Sequence, residues 1–137
     1  MSKEIERSYL LVKPDGVIGE KEPLSDALKT IKSEGLSITC LKRVRMTEEL
    51  LKLLYPHRFE DGTAEAAFRQ CSIDYMTKAD SLVIFVEGEG AIARMRKIKG
   101  KTWESGLRLK YAENFVYNTF HCPDTAEDYE REIVLLF

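Results

Sequence analysis

What most constrains the fold of this chain is an alternation in hydrophobic period, in which short strand-like runs are separated by stretches with apolar residues three and four apart. Ser8 to Val12 reads as a first strand. It ends at Lys13-Pro14-Asp15-Gly16, where the proline and the Asp-Gly pair stop the extended chain and leave Lys13 at a strand's end. Leu24, Ala27, Leu28 and Ile31 predict a helix from about Leu24 to Glu34, with Gly35 placed to close it. Leu36 to Met46 predicts a second strand presenting Leu36, Ile38, Cys40 and Val44 on alternate positions. Thr47 can cap a helix with Glu48 and Glu49 in its first turn, reaching about Tyr55. Ala64 to Met76 places Ala64, Ala67, Phe68, Cys71 and Tyr75 on one helical face. A third strand follows at Leu82 to Glu87, then a helix from Ala91 to Lys99 closed near Gly100, and a fourth strand at Phe115 to Phe120. Asp124 with Glu127 three residues on reads as the start of a last helix. The order β-α-β-α-α-β-α-β-α predicts an α+β fold, a ferredoxin-like four-stranded antiparallel sheet with helices covering it.

Composition narrows the class. The 137 residues are 44% hydrophobic, enough for one core, and with no repeat or low-complexity linker they predict a single domain over 1–137. The net charge of −2 gives no overall attraction to nucleic acid, and the strands lack the aromatic pair of an RNA-reading sheet, so no dedicated nucleic-acid surface is expected. MSKEIERSY carries charge where a secretory signal needs an apolar stretch, and the longest apolar run, Leu82 to Val86, is far too short to span a bilayer. A cytosolic protein with no membrane partner is expected. Cys40, Cys71 and Cys122 form no C-x-x-C pair and read as free thiols.

Only two histidines occur. His57, in Tyr55-Pro56-His57-Arg58, reads as a solvated loop residue. His121 follows an apolar strand and precedes Pro123-Asp124, beside a helix N-terminus that favours anions. Basic residues stand in separate segments at Lys13, Arg96 and Arg108, and guanidinium and ammonium groups converging from several segments are what a polyphosphate needs. Arg94, Lys97, Lys99 and Lys101 read as a solvated basic face, and composition alone does not separate Arg96 from them.

Four segments in order resemble the nucleoside diphosphate kinase family: ERSYLLVKPDGV near the N-terminus, Arg96-x-x-x-Gly100-x-Thr102, NTFHCPDT with its Asn-x-x-His signature, and Glu132-Ile133 before the final Phe137. The likeness covers nearly the whole chain. It implies phosphoryl transfer from a nucleoside triphosphate to a nucleoside diphosphate by a ping-pong course through phospho-His121, with broad base specificity and Mg²⁺ arriving on the nucleotide. By the same likeness Lys13 reaches the terminal phosphate and Tyr55 closes over the histidine. Phe68 stacks the base, Arg96, Thr102 and Arg108 bind phosphate, Asn118 contacts sugar and phosphate, and Glu132 orients the imidazole. The family's assembly implies a homo-oligomer built from dimers.

Three departures from the family pattern stand out. Cys122-Pro123 replaces a small residue and a serine, so the hydroxyl that works with the glutamate in relatives is missing. The segment between Thr102 and Arg108 is shortened, with Leu109-Lys110 where relatives carry Gly-Asp. The stretch between Tyr55 and Phe68 is lengthened and leaves only Arg58 and Arg69 as candidates for an arginine that relatives place there. Pro123 and the shortened loop motivate one alternative, a catalytically silent nucleotide-binding homologue of the same fold. Retention of the other matching residues weighs against it.

Overall fold

A strand that is apolar at every position must be covered on both faces, so Leu82 to Val86 marks the middle of the fold. It lies within β3 (Ser81–Glu89), which pairs antiparallel with β1 (Ile5–Val12) from Ile5 opposite Glu89 to Val12 opposite Leu82. The computed structural model describes residues 5–14, 22–54, 66–101, 104–111 and 119–136. Its sheet has the order β2-β3-β1-β4, with β2 (Ser37–Val44) and β4 (Phe120–His121) at the edges and every pairing antiparallel. The helices are α1 (Glu22–Ser33), α2 (Glu48–Leu54), α3 (Ala66–Thr77), α4 (Ala91–Lys99), α5 (Gly106–Tyr111) and α6 (Ala126–Leu136). This is the expected ferredoxin-like α+β arrangement.

The two-residue period of the strands divides the core. Leu10, Val12, Ile84, Val86 and Phe120 pack with Ala27, Ile31, Met95, Ile98 and Leu107 from α1, α4 and α5. Tyr9, Leu11, Val83 and Phe85 pack with Leu51, Leu54, Tyr75, Met76 and Leu136 from α2, α3 and α6. At about 1.5–3 kcal/mol for each fully buried large apolar side chain, these two layers supply the main drive to fold.

Several expectations need correction. Leu36 and Met46 lie outside β2, and the alternation fails in its middle because the register shifts between Ile38 and Cys40, leaving Cys40 and Leu41 exposed. A bulge at a sheet edge produces this by letting two residues oppose one. The last helix is capped by Thr125, whose Oγ1 accepts the Asp128 N–H at 3.0 Å, one residue beyond the expected Asp124. Of the predicted fourth strand only its end is described, and the strand runs on to include His121. Helix α5 was not expected at all. Its sequence is short and carries Arg108 and Lys110, and what holds it is tertiary: Leu107 enters the core, while Lys110 Nζ and Tyr111 Oη both donate to Asp26 of α1, the tyrosine at 2.6 Å.

The turn into α5 explains the glycine of the Arg96-x-x-x-Gly100 spacing. Gly100 has φ +71°, and a β-carbon there would fall 2.0 Å from the Ser105 carbonyl oxygen. Only glycine lets the two backbones approach this closely.

Candidate active site

The pairing of β1 with β4 sets Leu11 opposite His121 and Val12 opposite Phe120, so the residue leaving β1, Lys13, emerges beside the histidine. The Lys13 N–H donates to the Thr119 carbonyl at 2.7 Å, and its side chain is buried with the ammonium 6.0 Å from the centre of the Tyr75 ring. Thr119 adopts φ +68°, a left-handed conformation that costs a β-branched residue about 1–2 kcal/mol. The strain therefore sits two residues before His121, where the chain enters β4.

His121 keeps only 13% of its side chain exposed. Its Nε2 lies 2.8 Å from Oε1 of Glu132, which α6 delivers 3% exposed. The same oxygen accepts the Tyr9 hydroxyl, and Oε2 accepts Nη2 of Arg131 at 3.2 Å. With the Glu132 carboxylate as acceptor of this bond, Nε2 carries the ring hydrogen and the lone pair is on Nδ1. Burial pushes the imidazole pKa down to about 4. The hydrogen bond and charge of Glu132 oppose that shift, while the cations Lys13 and Lys99 add to it. The ring is therefore neutral at ordinary pH. Next to it Cys122 is buried and pushed up to about 11, chiefly by burial, so its thiol stays protonated and inert.

The basic residues of this region stand on different supports. Arg96 is half exposed, and its Nε lies 3.3 Å from Oδ1 of Asp124. Arg108 donates Nε and Nη2 to the Phe120 carbonyl at 2.9 and 2.7 Å, tying α5 to the strand that carries His121. Two expectations about the basic face fail. Lys99 is buried at 9% exposure, and Arg94 is half-buried with Nη1 donating to the Glu34 carbonyl. Lys97 and Lys101 are exposed as expected.

Of the residues singled out in the sequence, the fold brings together His121, Glu132 and Lys13, and places Arg108 against the same strand. Arg96 is linked to them through Asp124, three residues after the histidine. Tyr55, Thr102 and Asn118 lie outside the described residues, as do His57 and Arg58. Phe68 is on α3, with its side chain outside the described part, and so is Arg69. Sequence reasoning missed Tyr9, Arg131 and Lys99. A signal existed for Lys99, since Ala91, Ile92, Met95, Ile98 and Lys99 form one stripe at helical spacing and a lysine in an apolar stripe invites a question.

Comparison with known proteins identifies the family. A family model described as nucleoside diphosphate kinase matches residues 6–137. A nucleoside diphosphate kinase of Methanobrevibacter smithii is 32% identical over 97% of this chain and 87% of its own length. One of Thermococcus kodakarensis is 33% identical over 98% and 78%. Among solved structures, the Aquifex aeolicus nucleoside diphosphate kinase superposes with a TM-score of 0.80 at 29% identity, covering 98% of this chain and 96% of that one. A Halobacterium salinarum nucleoside diphosphate kinase in complex with CDP gives 0.82 at 26% identity, covering 98% and 88%. On the family match and on relatives above 30% identity along almost the whole chain, this protein belongs to the nucleoside diphosphate kinase family.

Proposed function

We propose that this chain, acting as a single cytosolic domain, transfers the γ-phosphoryl group of a nucleoside triphosphate to a nucleoside diphosphate in a ping-pong reaction through His121. The observation that carries this reading is the 2.8 Å contact between His121 Nε2 and the buried Glu132, which leaves a neutral Nδ1 as nucleophile. In the first half-reaction the Nδ1 lone pair forms the N–P bond as the bridging P–O bond breaks and the nucleoside diphosphate departs with its electrons. The Nε2 hydrogen stays directed at Glu132, which stabilises the positive charge that builds on the ring. The second half-reaction reverses these steps on an incoming diphosphate.

The transition state spreads charge over the equatorial oxygens, so donors placed around it lower the barrier by about 3 kcal/mol each. Lys13, Arg96 and Arg108 fill this role here, with Thr102 and Asn118 as further phosphate and sugar contacts, Tyr55 over the ring and Phe68 under the base. Mg²⁺ belongs to the substrate in this reading, riding on phosphate oxygens with its waters. Among the described residues no group of three or more His, Cys, Asp or Glu side chains is placed to hold a metal. Homo-oligomers built from dimers are part of the proposal, and the exposed Leu41 on edge strand β2 supports them. Among the described residues no helix is long and apolar enough to cross a membrane.

The test is initial-rate kinetics with ATP as donor and a series of nucleoside diphosphates as acceptors. Parallel double-reciprocal lines and similar rates across bases are expected. Absence of transfer to every acceptor would leave the silent homologue as the correct reading.

A further inference from the structure

Lys99 is the last residue of α4 and lies on its buried stripe rather than with the exposed Lys97 and Lys101 beside it. Among the described residues the one partner of its ammonium is Oδ1 of Asp124 at 3.9 Å, the outer limit of an ion pair. That oxygen is shared with Arg96 at 3.3 Å, and Asp124 is itself 61% exposed, so water screens what it offers. A lysine this far from solvent loses hydration that a distant, shared and solvated carboxylate does not restore. Among the described residues the arrangement is short of one anion. The charge of Lys99 is nevertheless felt at both His121 and Cys122, so an anion arriving at the histidine arrives within its field.

We propose that Lys99 is a further phosphate-facing cation of this site, whose ammonium stabilises the phosphoryl group as it passes onto and off His121. The inference rests on the phosphotransfer reading above and names a residue that reading does not use. When the phosphoryl group is absent, Asp124 holds the ammonium in place. When it is present, the dianion is the stronger partner for the ammonium, as it is for Arg96, which shares the same carboxylate oxygen. Burial also holds the Lys99 ammonium below the ordinary lysine value, the condition of a cation that lacks a close counter-charge.

The test is single-turnover phosphorylation by γ-labelled ATP with Mg²⁺ in the wild type and in Lys99→Met, Lys99→Gln, Lys99→Arg and Lys97→Met, each with its thermal midpoint. Lys99→Met keeps the stem and removes the charge. It should lower the saturated phosphorylation rate about ten- to thirtyfold with a smaller change in half-saturation, while the midpoint holds or rises. Lys99→Gln should lose rate in the same range, Lys99→Arg should recover much of it, and Lys97→Met should stay within about twofold. Phosphorylation of Lys99→Met at the wild-type rate would overturn the inference and leave the phosphotransfer reading standing. A loss in Lys99→Met and Lys99→Gln that follows a fall in midpoint and is not recovered by Lys99→Arg would make Lys99 a structural tie to Asp124. A wild type that takes no label would instead remove the phosphotransfer reading itself.

Discussion

The imidazole of His121 is held at 2.8 Å by a carboxylate that is almost wholly buried, whereas Arg96 faces an exposed carboxylate at 3.3 Å. Glu132 is further fixed by Tyr9 and Arg131, so the imidazole is set in one orientation by the packing of β1, β4 and α6. The nearby cations differ among themselves: Arg108 grips a backbone carbonyl, Lys99 is buried, and Arg96 is free to leave Asp124 for a stronger anion. The difference teaches where each substitution should be felt. Changes at the histidine should alter chemistry and titration, and changes at the cations should alter chemistry with a stability cost that depends on burial.

The largest expected effect separates the two arginines. Arg96→Ala and Arg108→Ala should each lower kcat/KM by about 10², the loss of one donor to the transition state. Only Arg108→Ala should also cost stability, about 1–3 kcal/mol, because the Phe120 carbonyl loses its two donors. Kinetics together with chemical denaturation of both variants would check this, and equal stability losses would erase the distinction drawn between them.

Next in size is the pH response. At pH 5 an imidazole of ordinary pKa would be neutral in only about one molecule in thirty, whereas His121 at about 4 is neutral in roughly nine of ten. Following the ring by NMR titration tests the value directly, and a midpoint near 6.5 would contradict it. Because the folded value lies below the unfolded one, the unfolded chain binds the proton first as pH falls. The stability contribution of His121 is therefore complete above about pH 6.5 and is lost as pH falls from there toward about 4.

Glu132→Gln keeps an acceptor for Tyr9 but removes the charge that steadies the ring. Phosphorylation should fall by about tenfold, and the His121 pKa should drop further, since the charge that raises it is gone. A rise would mean that the carboxylate is not the ring's main partner. The smallest effect belongs to Pro123→Ser. With Glu132 already in direct contact, a restored hydroxyl adds at most one hydrogen bond of about 1 kcal/mol, so single-turnover phosphorylation should hold or rise by a few-fold. A large drop with an unchanged thermal midpoint would make the proline part of the site.

How much of this was legible beforehand depends on how local each cause is. The alternation of strand and helix period located β1, β3, α1 and α4, because both faces of β1 and β3 are apolar and the sequence says so directly. Helix α5 was illegible because its support comes from Asp26, about eighty residues away in the chain. The bulge in β2 is a decision of the sheet edge that no local preference records. At the site, His121, Lys13 and Glu132 were singled out through the family resemblance, and the structure brings them together. Tyr9 looked like an ordinary residue of an apolar strand, since nothing in the strand marks which hydroxyl will meet a carboxylate from the last helix. Lys99 was hidden among four neighbouring basic residues, and only the helical stripe distinguishes it.

In the proposed mechanism Nδ1 of the neutral His121 ring is the nucleophile while Nε2 is held by Glu132. Phosphorus NMR of the protein after reaction with ATP and Mg²⁺, compared with His121→Gln, reads both the residue and the nitrogen that carries the phosphoryl group. The account predicts one phosphohistidine signal of the Nδ1 isomer that disappears in His121→Gln while the fold is retained. A signal of the Nε2 isomer, or one that survives in His121→Gln, would contradict it.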